Sequence, residues 1–109
     1  MTGATREHLG DDFVARRVVT ARVVNNAEPV DLYEVEAAGL GRRRRFFAGS
    51  EAALQALEAG DFALAAHRAG QLLLDHRNDG PLLLVLSRAG AALVQDGRGF
   101  DRVWEPPGK

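Results

Sequence analysis

The chain has 109 residues, enough for one ordinary domain or two half-sized units, and units that small bury proportionately little of their surface. With 46% hydrophobic and 27% charged residues and a net charge of −1, the composition is that of a globular protein with no overall pull toward nucleic acid or anionic membrane. No cysteine is present, which excludes a disulfide framework and thiolate chemistry, and apolar runs such as residues 82–86 fall far short of the ~20 residues a membrane span needs. Neither end has a signal-peptide pattern, so a soluble, cytoplasmic protein is expected.

Residues 5–9 favour a short helix, with Gly10 placed to close it in the left-handed conformation that lacks a Cβ penalty there. Residues 13–24 are rich in valine and arginine. The β-branched residues predict a strand and the arginines a wet face on it, with an interruption near residues 17–19. Asn25-Asn26 is a turn signal, and Pro29 marks the start or edge of a returning strand over residues 30–35. In that strand Val30 and Leu32 share one face, and Asp31, Tyr33 and Val35 share the other. A lone hairpin is marginal in water, so this one must pack on helices from the rest of the chain or pair with strands of another chain.

From residue 36 to 45 the pattern dissolves into alanine, glycine and arginine, and residues 39–48 read as an Arg-rich linker between a remnant at 1–38 and a helical module at 49–109. Ser50 is placed to cap a first helix that Gly60 ends, with Ala53, Leu54 and Leu57 at helical spacing. Asp61 caps a second helix, in which Phe62, Ala65, Ala69, Leu72 and Leu73 form a stripe of small residues with bulky ends. Asn78-Asp79-Gly80-Pro81 stops the chain and restarts it as a third helix, Asp79 or Gly80 capping and Pro81 sitting where a missing N–H does no harm. Leu82, Leu86, Ala89 and Leu93 lie on one face of that helix, with Leu83, Gly90 and Val94 beside it, and it ends near Gly97. Phe100, Val103 and Trp104 are too apolar to float freely and are expected to fold back as a clamp on the bundle. Gly60-Asp61-Phe62 followed by Ala65 matches the turn and second-helix start of a tetratricopeptide unit, present once; a plain three-helix bundle fits as well. The expected fold class is α+β: a short helix and a β-hairpin, then a three-helix tetratricopeptide-like bundle.

Residues with reactive side chains are few. His67 and His76 lie nine positions apart, about 180° around a helix, and cannot share a metal from it. His8 lies far from both in sequence. Ser50 and Ser87 have no base signature, and the glycines at 39, 41 and 49 have no Lys-Ser/Thr after them to make a phosphate loop. No metal, cofactor or catalytic residue is therefore expected. Candidate partner-binding residues are Arg42, Arg43, Arg44 and Arg45, a basic run that otherwise reads as a solvated segment, and Trp104, which otherwise reads as part of the clamp. Phe46 and Phe47, directly after the arginines, argue for docking of that segment because two wet phenylalanines are costly.

The segment ATREHLGDDFVARRVVTARVVNNAEPVDLYEV resembles the C-terminal end of the class III adenylate/guanylate cyclase homology domain. The residues that carry this are Ala4-Thr5-Arg6, Asp12-Phe13, Arg16, Glu28-Pro29-Val30 and Tyr33-Glu34. A second stretch is similar to the helical C-terminal extension of some bacterial cyclases through Gly60-Asp61-Phe62, Ala65, Asp79-Gly80-Pro81, Arg88, Phe100-Asp101 and Val103-Trp104. The resemblance implies that the metal-binding aspartates and the transition-state Asn and Arg would precede Ala4, where this chain has three residues. It also implies a Lys-Gly-Lys hairpin with a lysine on the nucleotide phosphates, where this chain has Val24, Asn25 and Asn26. Loss of that cation removes a large electrostatic contribution to phosphoryl chemistry. The expectation is a non-catalytic regulatory or protein-interaction module in cyclic-nucleotide signalling, and the alternative is one part of a split or truncated cyclase. Its partner would be a protein, either a cyclase or signalling protein or a second copy paired through the hairpin, and neither nucleic acid nor membrane.

Overall fold

The computed structural model describes residues 13–23, 28–37 and 41–105. The expected helix at 5–9 and the Asn25-Asn26 turn lie outside that set. Along the chain run β1 (Phe13–Ala21), β2 (Val30–Ala37), α1 (Gly41–Glu58), α2 (Phe62–Leu73), α3 (Gly80–Val94) and β3 (Val103–Trp104). The arrangement is α+β: α1 packs on β1 of a small three-stranded sheet, and α2 and α3 pack on α1 and on each other.

β1 is the middle strand of that sheet. β2 pairs with it antiparallel, from Phe13 opposite Ala37 to Ala21 opposite Val30, and β3 joins its other edge in parallel at Thr20 and Ala21. The register slips between Arg17 and Val19, a β-bulge at the interruption expected from the sequence. Its consequence is specific. Val14 and Arg16 are buried before the bulge and Val19 and Ala21 after it, so the extra residue shifts the alternation of the strand by one position. Arg16 bonds to Ser50 and Asp79, and Arg17 to Glu58.

The core lies between β1 and the helices. Val14 from the strand packs with Phe46, Phe47, Ala53, Leu54 and Leu57 of α1, Ala65 and Ala69 of α2, and Leu82, Val85 and Ala89 of α3. Alanine at 65, 69 and 89 lets the helices approach closely, and Gly49 does the same, since a Cβ there would lie 3.3 Å from Leu72 Cδ1. Asp61 caps α2 by accepting from the Leu64 N–H, and Asp79 caps α3 by accepting from the Leu82 N–H at 3.1 Å. Gly60 turns the chain between α1 and α2 at φ +88°, a conformation that side-chain-bearing residues rarely adopt.

Three expectations are corrected. The supposed linker at 39–48 is helical from Gly41 onward, so α1 begins well before Ser50. Phe46 and Phe47, 5% and 2% exposed, are buried at the spacing that holds this N-terminal part of α1 against the core, and the composition of residues 36–45 hid that anchor. Ser50 is accordingly a buried mid-helix residue rather than a cap, and its hydroxyl accepts from Arg16. The arginines of β1 also do not make a wet face, because Arg16 is buried and Arg17 is paired. Among the described residues no helix is long and apolar enough to cross a membrane.

Candidate interaction site

A buried arginine joins the two halves of the molecule. Arg16 is 1% exposed and uses all five of its N–H donors. Nε and Nη2 donate to Glu34 Oε1 of β2 at 3.0 and 2.6 Å, Nη1 donates to Ser50 Oγ at 2.9 Å and Asp79 Oδ2 at 3.0 Å, and Nη2 also donates to Asp79 Oδ1 at 2.6 Å. The guanidinium carbon lies 4.8 Å from the Phe47 ring centre and 5.1 Å from that of Phe46, within cation–π range. Burial alone would lower its pKa; the bonds and charges of Asp79 and Glu34 outweigh that and raise it. A permanently charged, fully bonded group of this kind is a joint, not a reactive centre. Arg17 forms a second clasp, bidentate to Glu58 at 2.8 and 2.6 Å, while its backbone N–H donates to Glu51 Oε2.

The basic run divides. Arg42 is the second residue of α1, and its side chain lies outside the described set. Arg43 leans back onto β2, its Nε donating to Glu36 Oε1 at 2.7 Å and its guanidinium lying 4.9 Å from the Phe46 ring centre. Arg44 and Arg45 are exposed. Arg43 therefore serves the hairpin–helix contact, whereas Arg44 and Arg45 lie on the surface. The Arg43 bond is the leading cause holding the Glu36 carboxyl down at about 2, below its ordinary 4.5. Because the folded-state value is lowered, the pair stabilises the protein above about pH 4.5, and this contribution is lost as pH falls toward 2. Acid unfolding followed by circular dichroism should show wild type losing more stability over this interval than Glu36→Gln. The difference should shrink in high salt, since both side chains are about one-third exposed.

Trp104 lies at the other end of the molecule, half-buried in β3, where its carbonyl accepts from the Arg22 N–H at 2.9 Å. The clamp expected from the tail is made chiefly by Phe100, edge-on to Phe62 with ring centres 4.9 Å apart, while Trp104 is drawn onto the sheet. Between this tail and the C-terminal half of α3 runs an open groove of about 310 Å³. Ala91 and Ala92 lie along its helix side, Phe100 and Trp104 contribute aromatic surface, and Arg88 and Arg98 supply positive charge. Arg88 Nη2 donates to the carbonyls of Asp101 at 2.7 Å and Arg102 at 3.2 Å, and its guanidinium lies 5.3 Å from the Phe100 ring centre. Burial lowers the pKa of Arg88, against the charges of Glu58 and Asp101. Its Nη1 is the one buried side-chain nitrogen or oxygen among the described residues with no hydrogen-bond partner.

Of the residues expected to meet a partner, Trp104 lies in this groove, and Arg43 lies at the contact between β2 and α1. Arg16 and Arg88 carried the cyclase resemblance without an assigned role, and Arg98 gave no signal at all. An arginine set among valines in a predicted strand, with acids in other elements to receive it, was the available sign of a buried joint. Among the described residues no group of three or more His, Cys, Asp or Glu is placed to hold a metal ion. No protein-family model, curated protein or solved structure matches this chain.

Proposed function

We propose that this chain is a non-catalytic interaction module of cyclic-nucleotide signalling, related to the C-terminal part of class III cyclases, with a tetratricopeptide-like helical half that docks on a cyclase or an associated signalling protein. One observation supports this most. The residues that carry the two separate stretches of resemblance meet in space: Arg16 and Glu34 of the hairpin bond with one another, Arg16 reaches Asp79 at the start of α3, Phe62 packs on Phe100, and Arg88 holds the Asp101 carbonyl. The charged groups of this set are bonded within the scaffold, which suits a structural and docking role.

The test has two arms. The purified chain with magnesium or manganese and ATP or GTP should produce no cyclic nucleotide; turnover that survives repurification would overturn the non-catalytic reading. Added to a purified class III cyclase catalytic domain, the chain should bind it and change its rate in proportion to occupancy. Activity that appears only when this chain joins an otherwise inactive cyclase fragment would instead make it one part of a split enzyme. Absence of binding to cyclase domains would remove the cyclase part of the proposal.

A further inference from the structure

We infer that the outer face of α2 and α3, on the side away from α1, is a self-association surface on which a second copy of this chain docks through the same pair of helices. This interface stands apart from the cyclase-related reading and adds to it. Its first ground is where the face points. Gly70 follows the buried Ala69 in α2, and Gly90 follows the buried Ala89 in α3; Leu74 and Val94 come four residues later, on the same side of each helix as its glycine. Leu72, about 200° around α2 from Gly70, meets Gly49 of α1, so Gly70 looks away from α1. Phe62 at the start of α2 meets Gly97 and Phe100 just past the end of α3, so the two helices run antiparallel and their matching positions lie on one side of the pair.

The second ground is what the face carries. Leu74 is 76% exposed, Leu83 44%, Leu93 49% and Val94 83%, and Leu83 stands two helical turns before Gly90 on the same side of α3. Single exposed apolar residues are ordinary, but a cluster of them marks an interaction surface. α2 and α3 hold one charged residue each in a chain that is 27% charged, and neither lies on this face: Arg68 is beside Gly49 and Leu72 on the α1 side, and Arg88 is bonded to the tail. Asp75 and Arg77 come only after α2 has ended. The glycines add to this. Glycine inside a helix is destabilising, and Gly49 makes room for Leu72, yet a Cβ at Gly70 or Gly90 would meet nothing within 4 Å. Packing within the chain does not call for these two; close approach of a neighbour from outside does.

The third ground selects the occupant. A lone helix of a foreign partner, laid in the seam between α2 and α3, would cover Leu73 and Leu86, which already pack against the core. It would leave outside it Leu74 and Val94, the two most exposed large hydrophobics among the described residues. Covering those takes a body two helices wide. Helices of 12 and 15 residues are about 18 and 22 Å long and pack roughly 9 Å apart, so the face is about 20 Å square. Two such faces together remove on the order of 1,200 Å² from water, the lower end of what a specific complex buries. The face has no charge to choose a partner of opposite sign and none to repel an identical one across a two-fold axis. Its apolar ends and low glycine centre let a second copy, turned across the first, set its own ends beside that centre. The product is a closed dimer joined by four helices.

Sedimentation velocity of the full-length protein, over concentrations from about 1 μM to about 1 mM, tests this. A monomer–dimer equilibrium is expected, with Kd on the order of 10–100 μM for an interface this small and apolar. The double variants Leu74→Lys/Val94→Lys and Leu74→Glu/Val94→Glu should each weaken association by about tenfold or more. Both should keep the wild-type melting curve in dilute solution, since the two positions are exposed. An equimolar mixture of the two variants should dimerise again, which requires that this face pair with itself. Gly90→Ala should weaken association severalfold while leaving the monomer at least as stable as wild type, a combination that loss of folding does not produce. If a variant unfolds, wild type still decides, because the Gly70 and Gly90 amide signals of the ¹⁵N-labelled protein should shift with concentration. A protein still monomeric at about 1 mM would leave the face to a foreign partner and overturn the inference. A dimer whose Kd neither double variant changes, or a mixture of the oppositely charged variants that stays monomeric, would also overturn it. None of these results involves a cyclase, so a failure here is distinct from a failure of the proposed function.

Discussion

Arg16→Ala is expected to destabilise the protein by about 3–5 kcal/mol, the cost of breaking a buried ion pair and leaving its partners unmatched. The loss removes five hydrogen bonds and a cation packed on Phe46 and Phe47. Asp79, whose side chain is only 12% exposed, is left with its capping bond to Leu82 and without its ion-pair partner, and Ser50 loses the donor to its buried hydroxyl. Against the 5–15 kcal/mol typical of a whole domain, this is a large share. In urea the midpoint should fall sharply with the slope little changed, and the melting temperature should drop by roughly 10 °C or more. Arg16→Lys keeps the charge but has three donors in place of a planar five-donor fork, so it should recover only part of the loss. An Arg16→Ala protein within about 1 kcal/mol of wild type would mean that the hairpin and the helices are held together by packing alone.

Phe47→Ala should cost a similar amount, about 3–5 kcal/mol, for a different reason. Phe47 is 2% exposed in the one cluster that includes Val14 of β1 and residues from all three helices, and its ring also faces the guanidinium groups of Arg16 and Arg43 at 4.8 and 5.0 Å. Truncation leaves a cavity that the surrounding helices can fill only in part. The comparison is Val94→Ala, at a position 83% exposed, where the change should stay within about 0.5 kcal/mol. If both variants unfold at the same denaturant concentration as wild type, α1 does not dock through its N-terminal half and residues 39–48 behave as the linker their composition suggests.

The two experiments probe one joint from opposite sides, and their effects should not add. Arg16 lies on the ring that Phe47→Ala removes, so part of the second loss is already contained in the first. A double variant that costs clearly less than the sum of the single ones would place the stacking and the ion pairs in one cooperative unit.

Much of the local structure was determined by the sequence itself. Asp61 and Asp79 cap helices because a short carboxylate can reach back to the N–H groups of the first turn, and Pro81 near the start of α3 is harmless because its missing N–H falls among the unbonded donors. The spacing of Leu54, Leu57, Ala65, Ala69, Leu82 and Ala89 marked core positions of the helices, all buried, although Leu93 and Val94, read as continuing the face of α3, are exposed; the break in β1 was legible at the residues where the bulge occurs. These are short-range effects in which each residue's own geometry and its near neighbours settle the outcome. Only the tertiary structure decided the rest. Residues 41–49 are helical because Phe46 and Phe47 find a core to enter, Arg16 is inside because Glu34, Ser50 and Asp79 arrive from three other elements, and Trp104 is a strand residue because β1 offers it an edge. A buried charge, a third strand two residues long and a groove closed by a tail all depend on partners distant in the chain, 63 residues away in the case of Arg16 and Asp79. Local propensity has no knowledge of such partners, and burial of the shared core is what brings them together.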